Sequence, residues 1–487
     1  MDSSVGIRAL LYALALLFAV IVLTRARART ARQAFLLAVS YALYLTWGPW
    51  FLLVLLSSTS INFLLGCRMQ RKPAAGILWI GLLFNLILLA FFKYLPGGAA
   101  TIPFESLQKL AYIALPLGIS FWTFQAMSYL LDLYRGEELD PSFIEFALYM
   151  AFFPVTVSGP ICRMPEMLSQ FRSDAAPSRH DKADGLCRIA TGLLMMQIAQ
   201  LLGRGLIAGQ GINAGFDQMH QWRALDVWCL AFGYGLQIFF DFAGYSHIAI
   251  GAARMLGFTL PENFARPFAS TTPSMFWTRW HMSLSFWIRD YVFLPMAMLR
   301  REEWWRKLCL LLSMVLFGIW HKGTILFLLF GSYHGVLLIL HRQVQQVERR
   351  FGWQMSSKLW TALSWAMTMA LVNLGWIFFR AGSLPQAGQM FSALLSPLGY
   401  TQHALQSSLY LLVAVAGVGY AVALIVLIVL DSYAGRLQPL PAPSIAAIAL
   451  RDRWVWIAPI WAAACLLALT LVPNQSRAAN VFMYRSF

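Results

Sequence analysis

The sequence predicts an all-α, polytopic membrane protein, and three observations predict it. Of 487 residues, 59% are hydrophobic and only 12% are Asp, Glu, Lys or Arg, roughly half the charged share of a soluble domain. The apolar residues gather into runs long enough to cross a hydrocarbon core, which takes about 20 helical residues. The basic residues collect between those runs: 37 Lys and Arg against 21 Asp and Glu leave a net charge of +16. In a soluble chain that charge would point to nucleic acid. Here it follows the positive-inside pattern, and no nucleic-acid partner is expected. Disorder is excluded by a 15% aromatic content and by the apolar surface available to bury.

Taken in order, single spans are expected at 8–24, 75–95, 109–134, 189–207, 225–248, 358–379, 408–430 and 454–472. The first is followed by Arg25, Arg27, Arg29 and Arg32 and by no small-residue cleavage site, so it reads as a retained span. The stretches 33–66 and 308–341 are each 34 residues long. At about 1.5 Å per residue each would make a rod of about 51 Å, too long for one crossing. Both are expected to turn back, the first at Trp47-Gly48-Pro49 and the second around His321-Lys322-Gly323.

Two regions do not read as spans. The stretch 143–161 is apolar but holds Pro154, Gly159 and Pro160, which fits a re-entrant piece whose backbone is satisfied by protein or water. The stretch 251–300 sets Arg254, Arg266, Arg279, Arg289 and Asp290 among aromatic residues. Too charged to cross and too apolar to be a free loop, it is placed in a cavity or along the cytoplasmic interface. With the basic segments inside, the parity closes on about 11–12 transmembrane helices plus re-entrant and interfacial helices. Loops 96–108, 208–224 and 380–407 and both termini then fall outside. No internal repeat is visible, and a single domain over 1–487 is expected.

Ionisable groups inside an apolar protein are expensive and mark function. Of eight histidines, His180, His220, His341 and His403 fall in loops or at interfaces. His321 lies 14 residues beyond Lys307, about 21 Å along a helix and therefore within the hydrocarbon zone. An imidazole at that break fits a general base, or a buried histidine bonded to a backbone carbonyl. His281 sits in FWTRWHMSLSFWIRDY beside Arg279 and Arg289, a set that suits an anionic ligand or an interfacial belt of aromatic and arginine side chains. His334 lies on the returning arm of the second hairpin. His247 and Asp241 share an apolar run, where pairing within the structure is the simpler reading. Six scattered cysteines form no C-x-x-C pair, and no metal site is expected. Patterns for nucleotide-binding loops, zinc proteases and hydrolase elbows are absent.

A family resemblance sharpens these expectations. DFAGYSHIAIGAARMLGFTLPENFARPFASTTPSMFWTRWHMSLSFWIRDYVFLPM (241–296) closely resembles the central signature of the membrane-bound O-acyltransferase family, and GIWHKGTILFLLFGSYHG (318–335) its second signature. LPLGISFWTFQAMSYLLDLYRG (115–136) and SGPICRMPEMLSQF (158–171) are similar to the bacterial branch that includes alginate O-acetyltransferase. The resemblance implies a central tunnel, a catalytic His321 and His281 as its partner. It implies an acyl thioester, acetyl-CoA as co-substrate, arriving from the cytoplasm, and an acceptor arriving from the other face. Lys322 stands where many relatives have Gly. Arg279 and Arg289 are expected near the CoA entrance.

The expected function is O-acetylation of an exported or cell-envelope polysaccharide of the alginate, cellulose or peptidoglycan type, in a bacterial inner membrane. An extracytoplasmic transferase is the expected partner. The C-terminal AANVFMYRSF (478–487) resembles the aromatic, Tyr-containing end of the bacterial branch, so Tyr484 is either an acyl carrier or an interfacial anchor. D-alanyl transfer to teichoic acid from a carrier-protein thioester is the alternative within the family. A flippase for lipid-linked sugars and a non-catalytic export scaffold are the alternatives outside it.

Overall fold

The breaks expected in the two longest apolar stretches are both present in the computed structural model, which describes residues 3–25, 28–96, 114–351 and 357–436. Every regular element among these residues is helical. The contacts group into two units. Among the described residues, the first takes in the chain to Thr191 together with Tyr245–Glu262. The second takes in Gly192–Gly244 and the chain from Asn263 onward.

The first unit begins with α1 (Ser3–Arg25), α2 (Arg29–Leu45), α3 (Pro49–Arg71) and α4 (Ala75–Lys93). Gly48 separates α2 from α3 at φ +146°, a value L side chains rarely adopt, and Pro49 then opens α3. Asn62 of α3 and Asn85 of α4 exchange amide hydrogen bonds at 2.7 and 3.2 Å, because a buried amide between apolar helices must find a partner. α5 (Ile119–Tyr134) packs against both helices. It starts ten residues later than the run 109–134 predicts, and 109–113 lie outside the described residues. The cause is local: Gly118 sits at φ +71°, and a Cβ there would collide with the Thr156 carbonyl.

The expected non-spanning stretch at 143–161 is α6 (Phe143–Ala151) followed by turns. Ser142 and Glu145 form a reciprocal cap at its start. Beyond its end, the Phe153 N–H donates to the Ser40 hydroxyl at 3.2 Å, and Tyr149 donates to the Cys162 carbonyl at 3.0 Å. Protein side chains thus satisfy the irregular backbone. After α7 (Met164–Phe171) comes α8 (Arg179–Arg204), which begins ten residues before the predicted 189–207 span. Its charged first turn is helical because Ser178 caps it, accepting the Asp181 N–H at 3.1 Å.

In the second unit, α9 (Ile212–Asp217) precedes α10 (Ala224–Met255), whose last residues, from Tyr245, belong to the first unit. At 32 residues α10 is about 48 Å long. Its most apolar window is 83% buried, against 11% for α1, so α10 is largely covered by protein and α1 largely is not. The Asp226 carboxylate near the start of α10 accepts the N–H groups of Arg223, Ala404 and Leu405 and the Tyr410 hydroxyl, at 2.7 to 3.1 Å.

The charged region that follows is cut into short pieces, as expected of a segment that does not cross: a 3₁₀ turn at Pro267–Ala269, α11 (Pro273–Trp277), α12 (Met282–Ile288), a π turn at Arg289–Phe293 and α13 (Leu294–Met298). Then α14 (Glu303–His321) and α15 (Ile325–Phe351) form the second hairpin. Glycines line the seam. A Cβ at Gly318 would land on the Phe327 carbonyl, one at Gly331 on the Met314 carbonyl, and one at Gly335 within 2.8 Å of Leu311. The arms therefore approach as closely as small residues allow.

α16 (Lys358–Arg380), α17 (Leu384–Leu394) and α18 (Ser407–Arg436) complete the described chain. α17 and a 3₁₀ turn at Pro397–Tyr400 fall in the expected loop 380–407. Ser383 caps α17, and Pro385 lies in its first turn. Eight helices among the described residues are long and apolar enough to cross a membrane. α2 and α5 are shorter, at 17 and 16 residues, and the expected span 454–472 lies outside the described residues.

Candidate active site

α14 ends at His321 because Lys322 turns to an extended conformation, φ −158° and ψ 130°. Thr324 then donates its N–H to the Lys322 carbonyl at 2.8 Å, and the chain re-enters helix at Ile325. His321 is 4% exposed, while Lys322 at the tip is exposed. The imidazole thus faces the interior of the second unit, and the cation beside it does not.

His321 lines a small cavity. α10 contributes Ile238 and Phe242, and the short-helix region contributes Trp277 and Trp280. α14 adds Phe317, α15 adds Phe330, and α16 adds Trp376 and Phe379. The space left inside is about that of one water molecule, enough for a reacting group and not for a whole cofactor. Among the described lining residues, His321 is the only one with an acid–base side chain. Its ring is held edge-to-face against Phe317 at 5.0 Å, Trp320 at 4.7 Å and Phe379 at 5.2 Å.

His281 lies next to this cavity without lining it. Its ring meets Phe242 at 4.6 Å and Trp320 at 6.3 Å, so Trp320 touches both histidines. Among the described residues neither ring nitrogen of His281 has a hydrogen-bond partner. Burial pulls its pKa down from 6.5 to about 3. A ring that stays neutral at working pH acts through its position and dipole, not by carrying a proton.

The backbone at His281 is strained. It adopts φ +44°, one of two non-glycine residues at positive φ among the described residues, the other being Arg266; such a conformation costs about 1–2 kcal/mol. Asn263 holds the turn. Its carbonyl accepts the Met282 N–H at 2.9 Å, and its side-chain oxygen accepts the Ser283 hydroxyl at 2.6 Å. Asn263→Ala is expected to destabilise the protein by about 1–3 kcal/mol, because buried donors are left unsatisfied. It should lower turnover with it, as a thermal melt and an assay on one preparation would read.

His334 is fully buried, with its ring 5.0 Å from Trp277 and 4.7 Å from Phe330. Gly375 makes room for it, since a Cβ there would strike the imidazole. His334 therefore packs behind the cavity wall. His247 and Asp241 both lie on α10, and neither lines the cavity.

The two arginines are also outside the wall. Arg289 is 53% exposed, pairs with both oxygens of Asp290 at 2.6 and 3.2 Å, and lies 4.7 Å over the Phe286 ring. Arg279 is half-buried, and its carbonyl accepts the Ala265 N–H at 3.0 Å. The sequence gives no warning of Asn263, Trp376 or Phe379. Trp376 and Phe379 join the wall through tertiary packing of α16, which Trp365 and Thr368 tie to the carbonyls of Phe268 and Thr271 at 2.8 and 3.0 Å.

The model of the membrane-bound O-acyltransferase family matches residues 74–380, a range that contains the cavity and all three buried histidines of this unit. The chain belongs to this family. It is therefore an O-acyltransferase, an integral protein of a membrane. It is 33% identical over 386 residues to a probable alginate O-acetylase of Pseudomonas aeruginosa, covering 75% of this chain and 70% of that protein. It is 30% identical over 389 residues to a peptidoglycan O-acetyltransferase of Helicobacter pylori, covering 73% and 72%. A teichoic acid D-alanyltransferase of Bacillus subtilis is 30% identical over 279 residues, 54% of this chain and 68% of that one.

Proposed function

We propose that this O-acyltransferase takes an acetyl group from acetyl-CoA on the cytoplasmic side of a bacterial inner membrane. It passes the group to a hydroxyl of an exported or envelope polysaccharide of the alginate, cellulose or peptidoglycan type. The observation that carries the reading is His321, the proton-accepting group in the wall of a small apolar cavity. His321 removes the acceptor's proton as its oxygen attacks the thioester carbonyl, and the C–S bond then breaks to release CoA. His281 acts beside it through Trp320, as a neutral group that fixes geometry. Arg279 and Arg289, outside the wall, are the proposed contacts for the CoA phosphates, with Arg289 already holding Asp290 through Nε and Nη2.

The acetyl branch is favoured over D-alanyl transfer because the relatives named for acetyl transfer match more of the chain, 73–75% against 54%. An extracytoplasmic transferase is the proposed next acceptor. Tyr484, the proposed carrier in that hand-over, lies outside the described residues.

Supplying acetyl-CoA and a D-alanyl carrier-protein thioester in parallel to the protein in nanodiscs tests the donor. Acetyl-CoA turnover alone is expected; turnover with the D-alanyl thioester alone would reject the acetyl reading. Arg289→Ala should raise the KM for acetyl-CoA about tenfold with kcat little changed, as expected for loss of binding made equally in ground and transition states.

A further inference from the structure

Acyl transfer through a tetrahedral intermediate places a negative charge on the former carbonyl oxygen, and a donor fixed beforehand at that point is worth more than any other single group. Among the described residues no Lys, Arg or His besides His321 lines the cavity. The remaining donors in the wall are the indole N–H groups of Trp277, Trp280 and Trp376. Of these, Trp277 and Trp376 are buried without an acceptor among the described residues. Leaving a buried donor unpaired is costly, and the cost is recovered when the missing acceptor arrives with the substrate.

The two indoles differ in setting. The Trp376 nitrogen lies 3.1 Å from the position of a Cβ at Gly235, so it abuts the α10 backbone. Trp277 stands instead across Phe317 from the base. The Phe317 ring is 5.0 Å from Trp277 and 5.0 Å from His321. Trp277 is also held rigidly. Thr272 caps α11 by accepting the Met275 N–H at 3.1 Å, and Thr368 donates to the Thr271 carbonyl at 3.0 Å. Behind it His334 packs against the ring at 5.0 Å.

We propose that the indole N–H of Trp277 is the oxyanion donor of this site, a role that rests on the acyl-transfer reading above. In the first step the acceptor oxygen forms a bond to the thioester carbon, its proton moves to His321, and the carbonyl electron pair shifts to oxygen, which accepts the Trp277 N–H. In the second step that pair re-forms the carbonyl, the C–S bond breaks, and the departing thiolate takes the proton from His321. Atoms and charge balance with no further reactant. Trp277 is then a catalytic residue, and His334 and Thr272 position it.

The test replaces Trp277 with benzothienylalanine, which keeps the shape of the indole and lacks its N–H, alongside Trp277→Phe and His321→Ala. Each is assayed with acetyl-CoA after a thermal melt. The isostere should lower kcat about 10²-fold, the size expected for loss of one oxyanion donor, with the KM for acetyl-CoA unchanged within twofold. Trp277→Phe should match it in kcat. A melting temperature equal to wild type shows that packing is intact. If the isostere keeps kcat within threefold of wild type, or changes KM alone, Trp277 is only a wall residue and the proposal is overturned. Full activity in His321→Ala would instead overturn the role of His321 as base, and a wild-type protein that turns over no acetyl-CoA would overturn the acetyl-transfer reading on which the proposal rests.

Discussion

Replacing His321 with Ala should reduce acyl transfer by about 10²–10⁴-fold, the usual worth of a positioned general base. The protein should still fold, with its melting temperature lowered by the lost ring contacts to Phe317, Trp320 and Phe379. The residue ends α14, its ring faces the cavity, and the helix seam beside it is built by glycine contacts in which the imidazole takes no part. His321→Gln, close in volume but unable to take up the proton, should lose as much activity as His321→Ala. The comparison is made on kcat, with melts to show that both variants fold. A variant that kept a tenth of wild-type kcat would remove His321 from the role of base.

The second large effect is expected at Gly318, which touches no substrate. A Cβ at this position falls on the Phe327 carbonyl and comes within 3.1 Å of Gly331. The obstruction is backbone, so it does not yield by a change of rotamer. Gly318→Val must separate α14 from α15, at about 1–3 kcal/mol or more for an overpacked interface. His321 lies three residues further along, nearly one turn, so any shift of the seam moves the base. Misplacing a catalytic group by about 1 Å costs about 10²-fold in rate. The expected result is a lowered melting temperature together with a kcat loss approaching that of His321→Ala. Gly318→Ala should show the same pattern at smaller size. Full activity in Gly318→Val would mean that the seam does not position His321.

Much of this was readable before any coordinates, and for physical reasons. A 34-residue apolar stretch between basic segments has to turn back, and Gly48-Pro49 and Lys322-Gly323 mark where. The Lys307–His321 spacing singled out His321, which is buried in the cavity wall, and the Arg-rich 251–300 region, too charged for a span, is cut into short helices. Less readable were features in which local chemistry opposed the hydropathy pattern. The run 109–134 hid the break at Gly118, and the charges at 179–188 hid the first turns of α8, although Ser178 and Asp181 were a visible cap. The rest of the cavity was not readable at all. Trp376 and Phe379 look like ordinary residues of a span, and only the packing of α16 brings them to a histidine more than 50 positions earlier. The strain at His281 was equally hidden, since backbone angles held by a distant Asn263 leave no mark in composition.

The central claim is that a histidine at the end of α14 drives transfer of an acetyl group from a CoA thioester. The most direct measurement incubates the full-length protein in nanodiscs with acetyl-CoA labelled in the acetyl group, and follows CoA release and label transfer for wild type and His321→Ala. The expected result is CoA release and labelled acceptor with the wild-type protein, and neither above background with His321→Ala. Equal turnover in both, or label that never leaves CoA while a D-alanyl thioester is consumed, would contradict it.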